Sequence, residues 1–318
     1  MSNFGFQLMR IVSLLPAATE IVGALGQLES LIGVSHECDF PPEVNNKPRV
    51  TYCPIHAGGS PSAEVDRWVR ETLASAGTLY RLDESLLRRL KSDVILTQRL
   101  CDVCAVDYGS VAAFAANLPG PPQVVNLEPS CLADIFEDIR KVAQVLGVPE
   151  HSDLVIETLR LRVEAVKTRM SQVNQKPKCF LMEWIDPPFC SGHWGPELVK
   201  LAGGLDPLGL QGRDSTRIPW ERVVDAQPEI IVLACCGYGV SRTLEDLPIL
   251  QSYPGYADLT AVRNGRVYVV DGSAYFSRPG PRIVDSLEIL AEILHPEVFQ
   301  GVFPHRGVLC LGAAPACR

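Results

Sequence analysis

The sequence lacks two features of proteins that act on membranes or nucleic acids. It has no run of about 18 uncharged apolar residues, the minimum that would predict a membrane-spanning helix. It also has little positive charge, with 29 Lys and Arg against 37 Asp and Glu and a formal net charge of -8. Because such a chain repels phosphate overall, we predict neither a membrane span nor a nucleic-acid partner.

The motifs of common enzyme families are also missing. The sequence contains neither G-x-S-x-G, nor a phosphate-binding P-loop, nor H-E-x-x-H, nor the dinucleotide fingerprint G-x-G-x-x-G. Carboxylates do occur in candidate loops, at Glu37, Asp39, Asp102, Glu183 and Asp186. No two of them have a spacing that implies acid–base chemistry. The sequence therefore predicts a protein without catalysis.

A secretory leader is not evident at the start of the chain. Apolar stretches occur within residues 1–26, but Pro16 splits them, Glu20 interrupts them, and no small-residue cleavage site follows. Without a leader, the eleven scattered cysteines are expected to stay reduced. We therefore expect a cytoplasmic protein.

What the sequence does contain is a repeated alternation of short apolar runs with helical segments. Runs rich in β-branched residues predict the strands of a first parallel-sheet lobe over residues 8–128. A second series of such runs predicts another lobe over 177–296. Between them, 129–176 has a helical pattern that includes one long amphipathic helix, and 297–318 has no periodicity. The predicted fold class is α/β, with two Rossmann-like lobes joined by one long helix and a C-terminal tail.

The loops at the carboxyl ends of the predicted strands are rich in aromatic, histidine and cysteine side chains. Ligands of α/β lobes bind at these ends, and aromatic faces suit a large flat ligand. The candidate ligand-binding residues are His36, Glu37, Cys38, Tyr52, His56, Trp184, Phe189, His193, Trp194, Tyr238, Tyr275, Phe276 and Arg278. The alternative is that individual aromatics belong to a lobe core, and that a loop histidine forms hydrogen bonds rather than binding a metal.

The pair Cys101-x-x-Cys104 has a spacing at which two thiolates can share one metal ion or iron–sulfur cluster. A complete site needs two further ligands, for which Cys38 and Cys236 are the leading candidates. The alternative is that these thiols are packed or idle.

Six segments along the chain carry a resemblance to a known family: Ser13–Ile21, Gly33–Pro42, Asp186–Gly192, Val199–Gly204, Ile218–Glu221 and Tyr275–Arg282. In this order they resemble the vitamin B12-binding proteins of ABC importers, which belong to the helix-linked (class III) substrate-binding superfamily, and more closely the signal-less relatives of those proteins. The resemblance covers about residues 10–296.

The resemblance implies a class III periplasmic-binding-protein fold that binds cobalamin or a related corrinoid between its lobes, here for intracellular binding, storage or delivery. It also implies one transporter-docking glutamate per lobe. Glu221 matches in the second lobe, whereas the first-lobe position holds Ser85, with Glu84 beside it. The loop around Cys101 and Cys104 has no counterpart in the importer proteins, so a thiol-ligated metal, haem or iron–sulfur protein is the alternative function.

Overall fold

The computed structural model of the protein describes residues 8–54, 59–99, 106–304 and 306–312. The chain divides into two compact units, with the change from the first to the second falling between Glu157 and Thr158. Two short segments that precede this point, 59–67 and Ser130–Ala133, group with the second unit.

The first unit is built on a sheet of four parallel strands in the order β2-β1-β5-β6, with β3 and β4 forming a separate antiparallel pair. Its strands are β1 (Ile11–Ser13), β2 (Leu31–Val34), β3 (Thr51–Tyr52), β4 (Arg81–Leu82), β5 (Val94–Gln98) and β6 (Gln123–Leu127). The helices over this part of the chain are α1 (Pro16–Ala24), α2 (Ser62–Ala76), α3 (Glu84–Leu90), α4 (Tyr108–Ala116), α5 (Leu132–Val145) and α6 (Pro149–Met170).

The apolar runs of the first unit form strands because both faces of the sheet are covered. Strands β1 and β5 are buried along their whole length, as expected for central parallel strands. Helix α1 begins at Pro16, where proline supplies the helical φ without the loss of a hydrogen bond. Strand β2 needs glycine at Gly33, because a Cβ there would lie 2.7 Å from Val50 and 2.8 Å from Leu90.

The second unit is built on a five-stranded sheet in the order β13-β12-β11-β7-β8, beside a small pair, β10-β9. Its strands are β7 (Cys179–Trp184), β8 (Phe189–Cys190), β9 (Gly192–His193), β10 (Leu210–Gln211), β11 (Ile230–Leu233), β12 (Val267–Val269) and β13 (Leu309–Cys310). Its helices are α7 (Gly195–Leu201), α8 (Trp220–Ala226), α9 (Val240–Glu245), α10 (Leu247–Ser252), α11 (Thr260–Arg263), α12 (Ile283–Leu294) and α13 (Pro296–Phe299).

The central strands β7, β11 and β12 are parallel, whereas β8 and β13 add antiparallel strands at the two edges. The segment after Pro296, for which the sequence indicates an aperiodic tail, thus contributes both α13 and the edge strand β13. A strand of two residues is too short to show an alternating pattern, so the sequence did not reveal it.

The predicted fold class, α/β with two Rossmann-like lobes and one long helix between them, is confirmed. The 22-residue helix α6 contains the division between the two units. The exact predicted boundaries at residues 128, 176 and 296 stay predictions. Within the described residues, no helix is long and apolar enough to cross a membrane.

Candidate functional site

The carboxyl ends of β7 and β11 carry a compact group of side chains, which we call the carboxyl-edge cluster: Glu183, Trp184, Cys236 and Tyr238. The rings of Trp184 and Tyr238 are tilted against each other with their centroids 4.7 Å apart. The backbone N–H of Cys236 donates to the carbonyl oxygen of Glu183 at 3.0 Å. Neighbouring parallel strands end at the same edge of the sheet, so the two loops meet there.

Hydrogen bonds hold both rings of the cluster in fixed positions. The indole Nε1–H of Trp184 donates to the carbonyl oxygens of Asp186 at 3.0 Å and Ser62 at 3.3 Å. The guanidinium of Arg242 lies over the Tyr238 ring, 4.3 Å from its centroid, and donates to the phenolic oxygen at 3.2 Å. Burial raises the pKa of Tyr238 to about 12, so the phenol is neutral. The pair forms a rigid aromatic surface with a polar rim.

Glu183 gives this surface an unusual carboxyl group. The pKa of Glu183 is raised to about 8, chiefly by burial and also by the neighbouring Cys236 and Asp206, against the opposing effect of hydrogen bonds from the Gly192 N–H at 3.0 Å and from Ser215. At neutral pH the carboxyl group is therefore mostly protonated and is a hydrogen-bond donor. Sequence reasoning treated Glu183 only as a loop carboxylate and missed Arg242, although its place four residues after Tyr238 was a usable signal.

Phe189 lies beside the cluster, because β8 runs antiparallel to β7 and pairs Phe189 with Trp184. The Arg217 guanidinium lies 5.7 Å from the centroid of the Phe189 ring and forms an ion pair with Asp66 at 2.6 Å. Phe189 is half-buried. The structure thus brings three predicted aromatics together, at Trp184, Phe189 and Tyr238.

The other aromatic candidates of this unit differ in exposure. Trp194 and Phe276 are buried, and the indole N–H of Trp194 donates to the Phe276 carbonyl oxygen at 3.0 Å. Tyr275 is half-buried, with the guanidinium of Arg282 5.5 Å from its ring centroid. The predicted residue Arg278 is also buried and donates to the Ser273 hydroxyl at 3.3 Å. Of these side chains, Tyr275 has the most accessible aromatic ring.

His193 has left-handed backbone geometry, with φ 47°. Its Nε2 lies 3.1 Å from Oδ1 of Asp214, and its ring centroid lies 5.4 Å from that of Trp194. Burial lowers the pKa of His193, against the opposing effect of Asp214. The imidazole is therefore neutral at pH 7, which leaves it able both to donate and to accept a hydrogen bond.

In the first unit, the predicted site residues follow β2 and form a hydrogen-bonded group with β3. Nδ1 of His36 lies 2.7 Å from the Thr51 hydroxyl oxygen, and its Nε2 lies 3.2 Å from the carboxylate of Glu37. The His36 ring also packs on Tyr80, with ring centroids 5.1 Å apart. Tyr52 is 53% exposed, so its ring is accessible to a ligand.

The cysteines proposed as metal ligands have contrasting surroundings. Cys38 is buried, with its Sγ 3.1 Å from the Thr19 hydroxyl oxygen, whereas Cys236 is exposed. Cys101, Cys104 and the candidate ligand residue His56 lie outside the described residues. Within the described part of the chain, no group of three or more His, Cys, Asp or Glu side chains could hold a metal ion.

The two candidate docking glutamates lie in the first turns of helices. Glu84 lies in the first turn of α3 and pairs with Arg88 at 3.3 Å. Glu221 lies exposed in the first turn of α8. Both carboxylates are on the surface of their units.

Known proteins resemble this chain in sequence over most of its length. Residues 102–274 match the periplasmic binding protein family. The chain is 23% identical over 287 residues to the vitamin B12-binding protein of Vibrio cholerae, covering 89% of this chain and 88% of that protein. It is 20% identical over 298 residues to the uncharacterized ABC transporter substrate-binding lipoprotein YvrC of Bacillus subtilis, covering 92% and 81%.

Solved structures agree with this fold. The periplasmic heme-binding protein RhuT from Roseiflexus sp. RS-1 matches with a TM-score of 0.69 at 22% identity, covering 91% of this chain and 99% of that chain. The periplasmic vitamin B12-binding protein BtuF of Vibrio cholerae matches with a TM-score of 0.65 at 21% identity, covering 90% and 96%. The resemblance to the class III substrate-binding superfamily is therefore confirmed.

The expected cytoplasmic location is wrong. The matched family is that of periplasmic binding proteins, and the Bacillus subtilis relative is a lipoprotein of an ABC transporter. These findings point to a location outside the cytoplasm. The expectation was based only on the first residues of the sequence, where no leader was recognised. The family match, in contrast, rests on residues 102–274.

Proposed function

Because the chain belongs to the periplasmic binding protein family and to its class III superfamily, we propose that it binds cobalamin or a related corrinoid for an ABC importer. The family's members bind small-molecule substrates and deliver them to transporters, which supports the prediction of a binding protein rather than an enzyme.

Two observations support a corrinoid over other ligands of the superfamily. Relatives named as vitamin B12-binding proteins match across 89% of the chain. A corrinoid also has a wide apolar ring face surrounded by amide side chains, and the carboxyl-edge cluster offers both kinds of contact. The Trp184–Tyr238 pair, with rings 4.7 Å apart, is the observation that carries the proposal.

The polar rim of the cluster fits the amides of such a ligand. A protonated Glu183 donates a hydrogen bond to an amide oxygen, which a carboxylate of ordinary pKa cannot do at neutral pH. Tyr275 adds a further partly accessible ring in the segment that follows β12. In the first unit, His36 and the exposed Tyr52 stay predicted ligand residues.

Titration with hydroxocobalamin tests the proposal. We expect a change in the visible spectrum and one-to-one binding by calorimetry. Trp184→Ala should weaken binding roughly 10-fold to 100-fold, because a well-packed aromatic anchor contributes on the order of 2 kcal/mol. Leu161→Ala, which truncates an exposed apolar residue of α6, is the control and should bind as the wild type does.

The same titration distinguishes a corrinoid from haem, which some structural relatives bind. Binding of haemin with no response to cyanocobalamin, hydroxocobalamin or cobinamide would contradict the corrinoid proposal and leave the family assignment intact. Metal analysis of protein purified without oxygen tests the thiol-ligated alternative, in which Ser in place of Cys101 and Cys104 removes the bound metal.

A further inference from the structure

The first unit contains a cavity that the proposed function does not use. Its volume is about 410 Å³, and it lies along one face of α5, next to the end of β6. Four of its residues on α5, Asp134, Asp138, Lys141 and Glu137, are spaced by three or four positions and therefore share a helix face. The lining residues are Asn126, Glu128, Asp134, Glu137, Asp138, Arg140, Lys141 and Gln144.

Two side-chain oxygens of this cavity lack the hydrogen bonds that buried polar atoms normally have. Asp138 is only 8% exposed, and its Oδ2 is buried without a hydrogen-bond partner among the described residues. Oδ1 of Asn126 is buried and unsatisfied in the same way. Leaving such a buried acceptor unpaired is energetically costly. A ligand that fits here therefore has to bring hydrogen-bond donors.

The charges around the cavity favour a cation. Four carboxylates line it against two basic side chains, and both basic groups are engaged locally. Arg140 pairs with Glu137, and Nζ of Lys141 donates to the backbone carbonyl oxygen of Asn126. The pKa of Asp138 is raised to about 7, chiefly by burial and against the opposing effect of Lys141, with smaller contributions from Asp134 and Glu128. An added positive charge would relieve the repulsion among these carboxylates.

Two classes of cation do not suit these residues. Within the described residues there is no group of three or more acidic, His or Cys side chains that could hold a metal ion. The eight lining residues include no aromatic ring, which a quaternary ammonium group would need. A primary ammonium or guanidinium group remains, because it combines positive charge with several N–H donors.

We propose that this cavity binds a small organic amine with a primary ammonium or guanidinium group, whose N–H donors bond to Asp138 Oδ2 and Asn126 Oδ1. The site lies entirely in the first unit and is separate from the carboxyl-edge cluster of the second unit. Glu128 and Asp134 supply the surrounding negative charge. This site would bind an amine rather than a corrinoid, so a negative result for one proposal does not contradict the other.

Two-dimensional NMR of the ¹⁵N-labelled protein at pH 8.5 tests the site with putrescine and agmatine as probes. Asp138 is ionised at that pH. We expect saturable shifts of the amides of residues 126–128 and 134–144. Asp138→Asn should weaken binding at least 10-fold, whereas Asp153→Asn, the same change at an exposed position of α6, should leave it unchanged. Lys141→Gln should strengthen binding, because it removes a competing cation.

The remaining outcomes each decide the matter. Equal shifts with tetramethylammonium at the same concentration would overturn the proposal, because that ion has no N–H donors. Shifts with Mg²⁺ but not with the amines would also overturn it. If neither amine binds while Asp138→Asn raises the melting temperature, the carboxyl group is simply a buried acid and the site does not exist. Hydroxocobalamin binding, measured on the same samples, reports separately on the proposed function.

Discussion

At the residue scale, the raised pKa of Glu183 makes stability depend on pH. The folded state holds a proton on Glu183 up to about pH 8, whereas the unfolded chain releases it near the ordinary value of 4.5. Between these values the folded state binds more protons, so its stability falls as the pH rises from 4.5 to 8. Glu183→Gln keeps an acceptor for the Gly192 N–H and removes the titration.

We therefore expect Glu183→Gln to flatten the decrease in unfolding free energy over this pH window, by up to about 5 kcal/mol. Urea denaturation at intervals from pH 4.5 to 8.5 measures it. Asp138, whose pKa burial raises to about 7, titrates in both proteins and cancels in the comparison. Glu164→Gln, at an exposed position, is the control. If the unfolding free energies of wild type and Glu183→Gln changed in parallel with pH, the raised pKa of Glu183 would be contradicted.

The residue types in the loops indicated the candidate ligand-binding side chains, but they did not indicate which aromatic rings are accessible to solvent. In the sequence, Trp184 and Trp194 belong to one segment rich in proline and glycine that is predicted to follow a strand, so sequence alone treats them alike. In the structure Trp184 is half-buried against Tyr238, whereas Trp194 is buried against Phe276. The difference arises from tertiary packing, because the Trp194 indole N–H donates to the distant carbonyl oxygen of Phe276, whereas that of Trp184 donates to the nearby Asp186 and to Ser62 of α2.

At the element scale, an ion network ties the C-terminal segment to two helices. Arg162 of α6 and Arg306 of the segment before β13 both bind Asp285 and Glu288 of α12. The side chain of Glu288 is only 5% exposed, so its charge depends on these partners. Removing one partner from a buried ion pair is costly, because the remaining charge stays desolvated.

We expect Arg306→Ala to lower the unfolding free energy by about 1–2 kcal/mol and to speed hydrogen exchange of the β13 amides. Arg162→Ala should cost more, about 3 kcal/mol, since Arg162 makes a bidentate contact with Glu288. Denaturation and amide exchange of both variants and their double mutant measure the coupling. Arg169→Ala, on the exposed face of α6, is the control. Additive costs in the double mutant would show that the four groups act independently.

Apolar runs predicted the central strands of both sheets, whereas the two-residue strands have no such pattern. Strands β1, β5, β7 and β11 carry apolar runs because both faces of a central parallel strand are buried. Strands β9 and β10 have two residues each. They form because two segments distant in sequence meet, which pairs Gly192 with Leu210. Such pairings depend on contacts between distant segments, so no local pattern encodes them.

At the scale of the whole molecule, a member of this family uses its surface for contacts with a transporter as well as for solubility. A binding protein of an ABC importer has to present contacts to the transporter as well as to the ligand. Glu84 and Glu221 lie in the first turns of α3 and α8, where negative charge is favourable, so neither carboxylate needs a functional partner to be stable there. Their exposure nevertheless leaves them available for docking on basic groups.

We expect Glu84→Arg with Glu221→Arg to lower corrinoid transport by the cognate importer at least 10-fold, because charge reversal turns attraction into repulsion at both contacts. Uptake of labelled cobalamin into proteoliposomes measures this. Calorimetry on the same variant should show wild-type corrinoid affinity, which separates a docking defect from a folding or binding defect. Glu157→Arg with Glu164→Arg, the same charge change on exposed positions of α6, is the matched control and should transport normally. Unchanged transport by the Glu84/Glu221 variant would mean that the importer contacts other parts of the surface.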